Sequence, residues 1–141
     1  MDYREVTGDR EFLLSLSYGA DWREEIERFA AEHDVEAAWF VGRGAVEDAE
    51  LASYDQDDFE DETVSFAEPL EVATCVGSVA IGDEDAPVVD AHVTLSRPSG
   101  QALAGRLERA TVFSAQVYLR SFEEAIEWER SETTGRDGWA V

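Results

Sequence analysis

Residues 70–122, LEVATCVGSVAIGDEDAPVVDAHVTLSRPSGQALAGRLERATVFSAQVYLRSF, carry the pattern that decides the fold. Residues 70–81 alternate as a strand does, with Leu70, Val72, Thr74 and Val76 on one face and Glu71, Ala73, Cys75 and Gly77 on the other. GDEDAP at 82–87 is a turn. Residues 88–95 alternate again: Val89, Ala91, Val93 and Leu95 form a core face, and Val88, Asp90, His92 and Thr94 line the opposite one. Arg97-Pro98-Ser99-Gly100 reads as a hairpin turn, and 101–107 as a short strand or loop. Residues 111–119 alternate once more, with Phe113, Ala115, Val117 and Leu119 set against Val112, Ser114, Gln116 and Tyr118.

The flanks are simpler. Residues 1–8 form a polar lead-in with the option of pairing as an edge strand, and 11–18 (EFLLSLSY) read as a strand. Asp21 is the expected N-cap of a helix, with Glu24 completing a capping box. Trp22, Ile26, Phe29 and Ala30 make one apolar stripe on that helix, and His33 ends it beside the negative pole of the dipole. VEAAWFV at 35–41 reads as a buried strand, broken by Gly42-Arg43-Gly44 and resumed at 45–54. The glycines read as permitting a tight turn or bulge rather than forming a phosphate loop, because no helix pattern and no third glycine follow them. DQDDFEDE at 55–62 is an acidic loop without the spacing of a calcium-binding hand, and 63–67 a short strand. Residues 122–130 carry a helical pattern, and 131–141 an extended tail. The expectation is an α+β single domain over 1–141: a mostly antiparallel sheet with one main helix packed on it.

GRGAVEDAEL, PLEVATCVGSV, APVVDAHVTLSRPSGQALAGRL and SAQVYLRSF, in that order, resemble the plants-and-prokaryotes conserved domain, as does the closing ERSETTG. The resemblance spans about residues 10–135. It implies the sheet-and-helix fold just read, a homotrimer, and association with DNA; in plants the domain accompanies AT-hooks. Many prokaryotic members carry His-x-His on the strand reading DAHVTL here and a third His in a Gly-His-Leu triplet, a set that looks like a metal site. In this chain those positions hold Asp90, His92 and Arg106. Asp90 and His92 share a strand face, so a degenerate site for zinc or another divalent metal is one expectation. Arg106 does not ligate, and its guanidinium is suited to pairing with Asp90 or holding an anion beside His92. Glu71 joins the candidate ligand residues as a carboxylate able to work with Asp90 if the two converge.

No nucleophile elbow and no linked Cys–His pair is present, so a non-enzymatic module is favoured. Its alternative is a ligand-, anion- or metal-binding protein, or an enzyme, built on the Asp90/His92/Arg106 cleft. Cys75 has no partner for a disulfide and reads as a small buried hydrophobe. The first residues show no signal-peptide pattern and no apolar run is long enough to span a bilayer, so a cytoplasmic location is expected. There are 33 acidic residues against 11 basic ones, and every basic one is arginine. That balance argues against direct duplex contact, leaving DNA to be reached through a protein partner. Arg97, Arg106 and Arg109 are the one basic grouping, embedded among apolar residues. The acids are spread along the chain, as in proteins of salt-rich cytoplasm such as that of halophilic archaea, where screening relieves self-repulsion. The melting temperature is therefore expected to rise by roughly 10 °C or more between dilute buffer and molar KCl, followed by circular dichroism; a temperature indifferent to salt refutes this.

Overall fold

Two long strands, β2 (Ala38–Asp55) and β6 (Ala102–Phe122), pair antiparallel from Ala38↔Ser121 to Ala52↔Arg106. The computed structural model describes residues 1–141. In chain order the remaining elements are β1 (Gly8–Leu16), α1 (Trp22–Glu32), β3 (Glu60–Phe66), β4 (Leu70–Ile81), β5 (Pro87–Ser96), β7 (Trp128–Arg130) and β8 (Asp137–Trp139). The large sheet runs β1-β6-β5-β4-β2-β3, and the β2–β6 pairing closes it on itself. The ring is β2–β4–β5–β6–β2, with β1 added beside β6 and β3 beside β2. All its pairings are antiparallel. With one eleven-residue helix against so much strand, the protein is mainly β rather than evenly mixed.

Closure leaves an interior that α1 fills. Trp22, Ile26 and Ala30 are fully buried, as their spacing requires. They join a single cluster of 24 buried apolar residues, so the helix and the large sheet share one core. Asp21 caps the helix by accepting from the Glu24 N–H (3.0 Å), and its other oxygen accepts from the Ala110 N–H (2.9 Å). The acid reaching back before the cap is Glu25, which accepts from the Ser17 N–H; sequence spacing assigned that role to Glu24. At the far end, the His33 N–H and ring Nδ1 both meet the Phe29 carbonyl, and the imidazole stacks on the Phe29 ring.

Bulges account for the departures from simple alternation. Ala73 is an extra residue between the pairs Val72↔Leu95 and Thr74↔Thr94, so the phase of β4 flips. Cys75 and Val79 then join Leu70 and Val72 inside, and Val76 turns outward. Phe113 is extra in the same way, which buries Val112 and exposes Phe113 to stack edge-on with Tyr18. Of the turn or bulge expected at 42–44 the bulge is what forms, and β2 runs through it as one continuous strand. Gly44 (φ +151°) lies so close to β6 that a Cβ there would sit 2.0 Å from the Ser114 carbonyl. Residues 101–107 and 111–119 are likewise one strand, β6.

The helix expected over 122–130 is absent. Phe122 ends β6 and donates its N–H to the Ala37 carbonyl; Ile126 fills a small second cluster with Ala37 and Ala80, and its carbonyl accepts from the Ile81 N–H. Those tertiary bonds hold the backbone extended, and Trp128–Arg130 then pairs with Asp137–Trp139 as a hairpin. The tail is thus folded back, with Trp139 edge-on to Trp39. No strand precedes Gly8, β3 begins at Glu60 rather than Thr63, and the acidic loop is a tight turn in which Asp55 accepts from the Asp57 and Asp58 N–H groups.

Because Asp21 serves two backbone donors in two elements, one with each oxygen, Asp21→Ala is expected to cost about 1–3 kcal/mol in urea unfolding, and Asp21→Asn, which keeps a single acceptor oxygen, to restore only part of it.

Candidate functional site

The core-facing residues of β5 are those read from the sequence: Val89, Ala91, Val93 and Leu95 are all buried. Asp90, His92 and Thr94 therefore face outward. The ladder places His92 directly between Val76 on β4 and Arg106 on β6. His92 Nε2 lies 3.1 Å from Asp90 Oδ2, an i, i+2 contact along one strand face. Asp90, His92 and Arg106 are thus brought together.

The pairing expected between Arg106 and Asp90 does not form. Arg106 donates from Nη2 to Asp61 (2.7 Å), and from Nε and Nη2 to Glu108 (3.2 and 2.8 Å). Glu108 is the extra residue of a bulge between Glu50↔Arg109 and Leu51↔Leu107, which aims its carboxylate back along β6. Asp61 arrives from β3 across the β2 edge. Partial burial draws the guanidinium's pKa down, but the bonds from Asp61 and Glu108 outweigh it and hold the group above its ordinary range. Glu71 is not part of the site. It stands on β4 opposite Ser96, five residues and roughly 15 Å along the strand from Val76 beside His92. The three arginines grouped by sequence also separate: Arg97 donates to Glu68 (2.6 Å), holding that carboxyl below its usual range, and Arg109 sits exposed near Glu50.

Two residues reach the site from places sequence reasoning did not connect to it. Tyr54, near the end of β2, donates to the Thr134 carbonyl (2.7 Å). Arg136, just before β8, lies over the Tyr54 ring at 5.2 Å. They bring the C-terminal segment against the β5–β6 face. The Glu108 contact had a signal in its i, i+2 spacing from Arg106; the others had none.

A second feature shares this surface. Cross-strand neighbours form one row around the sheet: Leu13, Tyr118, Val41, Val76, His92 and Arg106. Its first three members are apolar or aromatic and exposed, at 87 %, 39 % and 43 %. The site therefore stands at one end of an uncovered apolar strip, and the Tyr118 hydroxyl donates to Glu11 beside it.

The sequence profile of the Plants and Prokaryotes Conserved domain matches residues 3–123. The chain belongs to this family. Among solved structures, a metal-containing protein of Archaeoglobus fulgidus is 34 % identical, with all of both chains covered and a TM-score of 0.94. A plant- and prokaryote-conserved protein of Pyrococcus horikoshii is 23 % identical over 100 % of this chain and 98 % of its own (TM-score 0.93). A protein of Ralstonia eutropha, itself only predicted to bind DNA, is 22 % identical over 92 % and 90 % (TM-score 0.85). At those lower identities the likeness is one of fold. No curated protein sequence matches the chain.

The residues present do not fit a protein-held transition metal. Asp90 and His92 supply two donors, no third carboxylate, imidazole or thiol joins them, and the fixed charge of Arg106 stands directly across from His92. Cys75 is no candidate either: it is fully buried in the core, and burial pushes its thiol up to about 12. At pH 8 about one thiol in ten thousand is then ionised. Native protein is expected to resist iodoacetamide over hours and to be modified within minutes once unfolded, as mass spectrometry reports.

Proposed function

We propose that this protein is a non-enzymatic module that assembles as a homotrimer through its apolar strip and acts in association with DNA through a protein partner. The observation that carries this reading is the row Leu13–Tyr118–Val41, three exposed side chains side by side on three adjacent strands of one sheet face. Monomers rarely leave such a strip uncovered. The strip lies on one side of the ring, which suits a heterologous contact that closes after a few copies.

Direct binding to duplex DNA fits poorly with a formal charge of −22. DNA association is attached to relatives by prediction, and here an intermediary whose own surface is basic supplies it. The same charge suits a salt-rich cytoplasm, where repulsion between copies is screened. No helix is long and apolar enough to cross a membrane.

Light scattering in molar KCl is expected to give about 47 kDa, three times the 15.7 kDa of one chain. The double substitution Leu13→Glu with Val41→Glu should give the single-chain mass with an unchanged circular dichroism spectrum. A wild-type monomer at micromolar concentration overturns the assembly. A gel shift of duplex DNA by the purified protein alone overturns the intermediary.

A further inference from the structure

Beside His92 the outer face of the sheet dips into a recess of about 470 Å³. Its floor is three strands wide. Thr74 and Val76 come from β4, His92 and Thr94 from β5, and Ala104 and Arg106 from β6. Its rim is Ser53, Tyr54 and Arg136.

The composition of that lining is unlike the rest of the protein. With 33 acidic residues in 141, twelve lining residues drawn at random would include about three carboxylates. This recess has none, yet it holds two of the eleven arginines and one of the two histidines, together with four side-chain hydroxyls.

The polar groups also have capacity to spare. Asp61 and Glu108, which lie outside the recess, occupy Nε and Nη2 of Arg106 and leave Nη1 without a partner. They fix the plane of the guanidinium and do not block its free edge. Asp90, also outside, takes Nε2 of His92 and leaves Nδ1 free. Arg136 has no carboxylate partner at all and rests on the face of Tyr54. Among the arginines lining the recess and the cleft that adjoins it, Arg136 alone carries an unpaired charge.

We propose that this recess binds a small ligand through an oxyanion group, a carboxylate or a phosphate. Arg136 and Nη1 of Arg106 grip the anion, and the Thr74 and Thr94 hydroxyls orient it, with the His92 ring as one wall. The guanidinium fork matches either oxyanion. A recess of this size takes a small metabolite and not a polymer. All the residues come from one copy, so the site is complete without a second copy, although it borders the strip assigned to the assembly above.

The test is titration of the full chain in molar KCl with sodium phosphate and, separately, sodium succinate, followed by calorimetry and by the chemical shift of the His92 ring. Saturable binding of at least one probe is expected, with a shift at His92. Arg136→Ala, a surface change, should weaken it at least about tenfold, whereas Arg109→Ala should leave it unchanged. Phosphate alone binding assigns a phosphorylated ligand, and succinate alone a carboxylate. No saturable binding of either probe overturns the site. So does an equal loss in Arg109→Ala, which reduces the effect to net charge. Because particle mass is read in the same solutions, loss of binding in an intact trimer is distinguishable from failure of the assembly.

Discussion

The pairing of β2 with β6 is the constraint from which the rest of the molecule follows. It turns an open antiparallel sheet into a closed one, and closure forces a stagger. A single cross-strand row leaves β6 at Tyr118, passes through Val41, Val76 and His92, and returns to β6 at Arg106, twelve residues away. That stagger is what sets a guanidinium opposite His92. It also forces the bulges: Ala73, Phe113 and Glu108 are extra residues in strands that must bend round a narrow interior. Backbone donors left unpaired at such places find side chains. Asp21 and Asp48 accept from Ala110 and Thr111, and Glu27 on the helix accepts from Val89, where β5 has outrun its pairing with β6. The helix is held to the sheet by Asp21 and Glu27 as well as by Trp22 and Ile26, while Asp48 ties β2 to β6.

The acids thus serve two ends. A few are structural acceptors, and each one named above meets a backbone N–H or an arginine. The remainder make the exposed surface strongly negative, which screening by salt makes tolerable. Against that background most of the arginines are paired with acids. Arg106 between Asp61 and Glu108, Arg97 on Glu68 and Arg130 on Asp137 are local pairs whose exposed members contribute little to stability. Their effect is on geometry: a guanidinium held by two carboxylates keeps one orientation.

Much of this was legible in the residues. The alternation of 88–95 gave the correct inward set because β5 contains no bulge. The i, i+4, i+7, i+8 stripe and Asp21 gave the helix, and the order of moderate motifs gave the family. What failed did so for identifiable reasons. A bulge reverses strand phase without leaving a mark in apolar spacing, so Cys75, read as buried and found buried, was set opposite Leu70 and Val72, and Val112 opposite Ala115 and Val117, although all of them face the core. Phe122–Arg130 has helical spacing, yet Ile126 has a hole to fill beside Ala37 and Ala80, and tertiary bonds outweigh weak local preference. At the site, Asp90 and His92 were adjacent by strand period alone. The ties of Arg106 to Asp61 and the approach of Arg136 depend on a hairpin and a folded-back tail some 30 to 45 residues away in the chain, counted from Arg106.

The two unusual patches of the surface, the apolar strip and the recess without carboxylates, meet at Val76 and His92. This adjacency limits what the recess can select. Strand spacing puts Val41 roughly 10 Å from His92, so anything covering the strip forms a wall at the mouth of the recess. A duplex would have to lay its phosphates along a surface carrying 33 acids, and the gain from the few guanidinium groups without a carboxylate partner is far too small to offset that repulsion. A single carboxylate or phosphate group faces no such opposition. It enters between Arg136 and Arg106 from the side that no carboxylate lines; the acids behind those arginines, Asp61, Asp83, Asp90, Glu108 and Asp137, line the adjoining cleft. The electrostatics that argue against a polyanion along the whole surface therefore favour a lone oxyanion at this one place.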